Sequence, residues 1–236
     1  MGRIINIRWG IDGLKESVNS GDLVVIIDTI RFTSAVTTAI ALGFVIEPTS
    51  DKERKSETFS LSPRSFLGKP SDRVVIASSN GAFMAINSKG AKEAIFGSLL
   101  NAKSIGEYID SLSEKTTIIA SGELGYEVRK SMFNDYEKEK VLSNPIFASE
   151  DFLAAGAIAS FCEMSKSDEV KEAQEFFESN KKDLLGYLKS TASHKYNVTN
   201  GNDADTEYCS KFNVYNVVPK LRWVSGVPEI TGLTSV

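Results

Sequence analysis

The chain has 236 residues and a formal charge of −4 at neutral pH, enough length for one large core or two small ones. That charge gives no footprint for nucleic acid, and no apolar run reaches membrane-spanning length. Cys162 and Cys209 are too few for a disulfide framework and lack metal-ligand spacing, so both thiols are expected to be reduced in a cytoplasmic protein.

Taken in chain order, Met1 to Gly10 carries Arg3 and Arg8 and lacks the apolar core of a signal peptide. Leu23 to Ile27 reads as a buried strand ending on Asp28, with a helix over Thr33 to Leu42 behind it. Phe44 to Glu47 reads as a second strand, and charged Asp51 to Glu57 as a loop or short helix. Val74 to Ala77 is a strand closed by Ser78-Ser79-Asn80-Gly81, before a short helix from Ala82. Ala94 to Phe96 is a strand closed by Gly97 to Asn101, and Ala102 to Leu112 is an amphipathic helix. Thr116 to Ala120 is a strand ending on Ser121-Gly122. Arg129 to Lys140 reads as a surface excursion or a helical lid. Asp151 to Cys162 is a helix of small residues, Glu169 to Ser190 a long helical stretch, and Asn213 to Pro219 a late strand. Strands alternating with helices imply an α/β fold with a mostly parallel or mixed sheet flanked by helices. The chain is expected to form one domain, or two intimately packed α/β halves.

The strand ends share a chemistry. Asp28, Ser78 to Gly81, Gly97 to Asn101 and Ser121-Gly122 each place small polar residues or glycine after an apolar run. In a parallel sheet such ends lie on one edge, where α/β folds bind ligands. After Asp28, Arg31 offers a fork for an anion, and Thr33 or Ser34 can cap the helix. The plainer structural reading is a buried strand with a capped helix behind it.

Elimination narrows the chemistry. The single histidine, His194, excludes sites built on several imidazoles. There is no phosphate-binding Gly-x-x-x-x-Gly-Lys loop, no dinucleotide fingerprint and no nucleophile elbow. Carboxylates without histidines suit a hard cation, chiefly Mg²⁺. Glu150-Asp151 heads the small-residue helix and reads equally as a capping pair or as metal ligands. Asp203 and Asp205 follow the turn pair Asn200-Gly201 and can simply be solvated. His194 reads as a polar surface residue or a general acid. Asn197-Val198-Thr199 is a formal glycosylation sequon that means little without secretion. The residues alone lead to a Mg²⁺-dependent site for a small phosphorylated anion.

Several segments together resemble the 2-phosphosulfolactate phosphatase (ComB-like) family. They are Ile27-Asp28-Thr29-Ile30-Arg31-Phe32-Thr33-Ser34, Ser79-Asn80-Gly81, Gly97 to Ala102, Ser149 to Ile158, Ser193-His194, and Asp205 to Cys209 ending in Asn216-Val217-Val218-Pro219. The resemblance implies Mg²⁺-dependent hydrolysis of (2R)-phospho-3-sulfolactate to sulfolactate and phosphate, within coenzyme M biosynthesis. Carried over on it are Asp28, Arg31 and His194 as catalytic residues. Thr33, Ser34, Asn80, Gly81, Ser98 and Asn101 are carried over for substrate. Asp28, Glu150, Asp151 and Asp205 are carried over for metal. The implied partner is a small phosphorylated anion, without nucleic acid or membrane, and a homodimer is left open.

The chain departs from the family pattern. The usual Gly-Glu-x-Gly-Gly loop is lacking between Asp51 and Ser60, and only Leu61-Ser62-Pro63 remains of the following motif. Ala120 stands in place of a cysteine, Lys195 in place of a glycine, and Gly125 to Ala148 reads as an insertion. A degenerate anion-binding paralogue, or a phosphatase of another small acid or sugar, are therefore the alternatives.

Overall fold

In the computed structural model, described over residues 3–54, 56–112, 114–123 and 143–234, the first two strands are separated by a helix. These are β1 (Ile4–Trp9), α1 (Gly10–Asn19) and β2 (Leu23–Ile27). There follow α2 (Phe32–Ala41), β3 (Val45–Thr49), β4 (Arg73–Ala77), α3 (Gly81–Asn87), β5 (Glu93–Gly97), α4 (Ala102–Ser111) and β6 (Thr116–Ala120). Beyond residue 142 come α5 (Ser149–Ala159), β7 (Ser165–Lys166), α6 (Asp168–Asn180), α7 (Leu184–Ser190), α8 (Ala192–Thr199), α9 (Asp203–Cys209), β8 (Val217–Val224) and β9 (Val227–Thr234). The segment Arg129 to Lys140, expected as an excursion or lid, lies outside the described residues.

The strands form one mixed sheet in the order β4-β3-β9-β8-β5-β2-β6-β1-β7. β5, β2, β6, β1 and β7 pair in parallel, as do β3 and β4. The antiparallel β8–β9 hairpin joins these two groups and reverses the direction between them. β2 is buried on both faces, as a central parallel strand must be. Leu23, Val25 and Ile27 enter a core with α4, α5 and α6, while Val24 and Ile26 enter a second core with α1, α2 and α3.

The expected convergence of strand ends holds for Asp28 and Ser78 to Gly81, but for a different reason. β4 runs opposite to β2 and lies five places from it in the sheet order, about 24 Å at ordinary strand spacing. Yet the Gly81 N–H sits 2.9 Å from the Asp28 carboxylate. The sheet therefore curls around α2, which packs against β3, β5, β8 and β9.

Other boundaries shift for local reasons. Glu169 to Ser190 is not one helix but α6 and α7 separated by a 3-10 turn at Lys181–Asp183. Asp183 stops continuity by accepting the Gly186 N–H at 2.8 Å and capping α7. The late strand starts only at Val217, because Asn213 takes a left-handed turn (φ 51°). It then runs on through the Ser225-Gly226 turn, both residues at positive φ, into β9. Among the described residues no helix is long and apolar enough to cross a membrane.

Candidate active site

Asp28 emerges from β2 and remains almost buried. Its Oδ2 accepts the Gly81 backbone N–H at 2.9 Å. A Cβ at Gly81 would lie 2.3 Å from the Phe32 ring and 2.7 Å from that same oxygen, so only glycine lets α3 approach. Thr33 Oγ1 accepts the Asp28 N–H (3.2 Å) and donates to the Asp28 carbonyl (3.0 Å). Ser34 Oγ donates to the Thr29 carbonyl at 2.8 Å. Both hydroxyls are fully buried and shape the turn after β2. Neither caps α2, whose N-cap position is taken by Arg31 without a side-chain cap.

Arg31 is held rather than free. Its Nη1 pairs with Asp205 Oδ2 at 2.5 Å, and Ser62 Oγ donates to Asp205 Oδ1 at 2.5 Å. Asp205 is thus not solvated. It ties the turn after β2 to α9 and to the short Leu61-Ser62-Pro63 remnant. Beneath this pair, burial foremost raises the Cys209 thiol to about 12, so it stays protonated at working pH.

The acids of α5 sit behind Asp28. Asp151 Oδ1 accepts the Thr29 N–H at 2.8 Å, and Oδ2 accepts the Gly122 N–H at 3.1 Å. Thr29 Oγ1 donates to the Glu150 carbonyl at 3.2 Å. Burial, and then the negative charges of Glu150 and Asp28, push the Asp151 carboxyl well above the usual carboxylate range. Asp151 therefore does not cap its helix: it spends both oxygens joining β2, β6 and α5.

A cleft of about 190 Å³ opens beside these groups. Asp28, Arg31, Asn80 and Glu123, from the ends of strands, and Tyr196 and Asn197, from α8, line it. Asn80 Nδ2 donates to the Gly122 carbonyl at 2.7 Å, which fixes the amide; its buried Oδ1 has no hydrogen-bond partner among the described residues. The Asp28 and Glu123 carboxylates and this orphaned amide oxygen are all hard donors and suit Mg²⁺. Among the described residues no three His, Cys, Asp or Glu side chains are grouped to hold a metal. A Mg²⁺ ion taking one or two carboxylates plus waters and substrate oxygens requires no such cage.

The structure thus brings Asp28, Arg31 and Asn80 to one cleft, with Gly81 directly behind Asp28. It places Ser98 and Asn101 elsewhere. Asn101 Oδ1 accepts from the Ser98 N–H (2.9 Å) and hydroxyl (3.0 Å), and Asn101 Nδ2 donates to the carbonyls of Phe96 and Val217. Both are fully buried and bind β5 to β8. His194 contacts Thr206 through Nδ1 at 3.0 Å, joining α8 to α9, and does not line the cleft. Ser62, Glu123 and Asn197 carry no site role in the sequence reading. Glu123 is within reach of the strand-end rule, two residues beyond Ser121, whereas the local pattern marks Asn197 only as part of a glycosylation sequon.

A family model described as 2-phosphosulpholactate phosphatase matches residues 51–223. A protein of Carboxydothermus hydrogenoformans named "Probable 2-phosphosulfolactate phosphatase" is 26% identical over 222 residues, covering 84% of this chain and 85% of its own. A namesake from Clostridium acetobutylicum is 25% identical over 251 residues, covering 92% and 96%. Another from Caldanaerobacter subterraneus is 26% identical over 248 residues, covering 87% and 92%.

Proposed function

The chain belongs to the 2-phosphosulfolactate phosphatase family, phosphoric monoester hydrolases, and on that premise we propose that it cleaves (2R)-phospho-3-sulfolactate to sulfolactate and phosphate with Mg²⁺. The observation that carries this reading is the pairing of Asp28 and Arg31 on one cleft, a carboxylate and a guanidinium held three residues apart by the same turn. Such a pair suits a phosphomonoester, whose charge must be neutralised as the P–O bond breaks. The cleft is small, which fits a three-carbon acid.

Asp28, Glu123 and Asn80 Oδ1 would hold the Mg²⁺, which supplies Lewis-acid polarisation of the phosphoryl oxygens. Arg31, fixed by Asp205, presents its remaining N–H groups to the same phosphoryl group. Water attacks phosphorus, the ester P–O bond breaks, and the leaving oxygen takes a proton to become the hydroxyl of sulfolactate. His194 acts in this reading by holding α8 against α9, not as a proton donor to substrate. Glu150 and Asp151 brace the turn that carries Asp28. A small phosphorylated acid is a cytoplasmic metabolite, and the free, buried Cys162 and Cys209 suit a reducing compartment.

Phosphate release is measured with phosphosulfolactate, phospholactate and a sugar phosphate, each with Mg²⁺ and with EDTA. The expected result is Mg²⁺-dependent release, greatest for phosphosulfolactate and lost in Asp28→Asn. Binding of these anions without turnover would instead identify the non-catalytic paralogue favoured by the shortened 51–60 segment.

A further inference from the structure

Helix α8 carries buried polar groups that have no hydrogen-bond partner among the described residues. Asn197 faces the cleft and is only 3% exposed. Its Nδ2 has no hydrogen-bond partner among the described residues. One turn earlier, at i−4 on the same helix face, Ser193 Oγ is also buried without a partner among them. Leaving a buried amide unpaired is costly, and folded proteins rarely do so without a use for the group. The position is well built. Thr191 Oγ1 accepts the His194 N–H, His194 bonds Thr206, and the Asn197 carbonyl accepts the Asn200 and Asn202 N–H groups at 3.1 and 2.8 Å. The backbone of Asn197 is anchored, while its side-chain Nδ2 is buried without a partner among the described residues.

The two sides of the cleft differ in hydrogen-bonding sense. At the strand ends, Asp28, Glu123 and Asn80 Oδ1 present acceptors beside the Arg31 guanidinium, a mixture that suits a cation and the phosphoryl group it holds. Asn197 presents donors, which suit an anion or another acceptor-only group. A sulfonate offers three acceptor oxygens and no donor. We propose that Asn197 is the specificity-determining residue of this cleft, its side-chain amide donating to the sulfonate while the phosphoryl group lies against the Asp28 side. The proposal rests on the phosphatase reading above and deepens it by assigning the recognition of the non-reacting end.

The test compares phosphosulfolactate with phospholactate, which keeps the phosphomonoester and carboxylate but has a methyl group in place of the sulfonated carbon. In Asn197→Leu, kcat/KM for phosphosulfolactate is expected to fall about ten- to a hundredfold, mainly through KM, as for a lost hydrogen bond to a charged group. The value for phospholactate should stay within about twofold. Asn197→Asp keeps the shape but sets a carboxylate against the sulfonate, so its selective loss should be larger. Equal losses on both substrates, or no loss on either, would overturn the proposal. If wild-type protein hydrolyses neither substrate, the phosphatase reading fails, and calorimetric titration with 3-sulfolactate and lactate decides separately on Asn197. Sulfolactate binding that Asn197→Leu abolishes sustains its role; binding that survives, or no binding to wild type, refutes it.

Discussion

The two sides of the cleft are built on opposite principles. On the sheet side, Asp28 accepts the Gly81 N–H and Asp151 accepts those of Thr29 and Gly122, so both carboxyl groups are positioned by main chain. On the helical side, α8 is secured through its own backbone and through His194, and Asn197 keeps its amide donors unspent among the described residues. Rigid placement suits the reacting end of a substrate, where misplacement of about 1 Å is expensive. Unspent donors suit the end that only has to be recognised. Arg31 links the two, since its partner Asp205 belongs to α9 and itself lies on the turn after β2.

The largest effect should come from breaking the sheet side. Asp28→Asn removes a carboxylate from the cleft and sets an amide against the Gly81 N–H or the metal. We expect kcat/KM to fall by about a thousandfold or more, the several kcal/mol attached to losing metal-assisted charge stabilisation. Steady-state kinetics over a Mg²⁺ series checks this, and saturating Mg²⁺ should not restore the rate.

Arg31→Lys tests the link. An ammonium can still pair with Asp205, but it loses the planar fork that addresses two oxygens at once. A fall of about ten- to a hundredfold in kcat/KM is expected, with a modest drop in melting temperature from the loosened Asp205 pair. A lower melting temperature with unchanged rate would make Arg31 purely a strut between the turn and α9.

Asp151→Asn probes how the sheet side is braced. Asparagine can offer only one oxygen where two backbone N–H groups point, so a loss of about 1–3 kcal/mol in stability is expected. The pH dependence has a definite sign. The folded Asp151 carboxyl is raised by burial and by Glu150 and Asp28. Its contribution is therefore fully present below the ordinary carboxylate pKa and declines as pH rises toward the folded value. The stability gap between wild type and Asp151→Asn, measured by denaturant unfolding in EDTA, should narrow from pH 4 toward pH 8. A gap that widens over that range would mean Asp151 is held ionised.

These contrasts follow how legible the molecule was. β2 and Asp28 stand out because a β-branched run ending on an acid is decided locally, and Ser78 to Gly81 stands out by the same rule. β1 does not, since Asn6 and Arg8 alternate with buried Ile5 and Ile7 and the strand looks polar until β6 pairs with it. The direction of β4 relative to β2 was unreadable because the C-terminal β8–β9 hairpin, remote in sequence, reverses the sheet between them. In the site, Asp28 and Asn80 follow from strand ends. The roles of Asp205 and Asn197 depend on where α8 and α9 pack, a tertiary matter that no local pattern encodes.

Ser98 and Asn101 obey the same strand-end rule but serve the core, and they give the smallest and most discriminating test. The rule finds polar residues after strands; it does not say whether they turn to the ligand or back to the chain. Here Asn101 folds back, accepting from both the Ser98 N–H and hydroxyl and bridging to the β8 carbonyl of Val217. Ser98 Oγ also lies 3.2 Å from Thr37 Oγ1, inside the protein. Ser98→Ala removes one buried hydroxyl while Asn101 keeps its remaining bonds, so stability should fall by about 1 kcal/mol. Because Ser98 is fully buried and does not line the cleft, kcat/KM should stay within about twofold of wild type. Unfolding and kinetics on this variant separate the two duties of a strand end. Reduced turnover at unchanged stability would return Ser98 to the substrate and show that the cleft extends past β5.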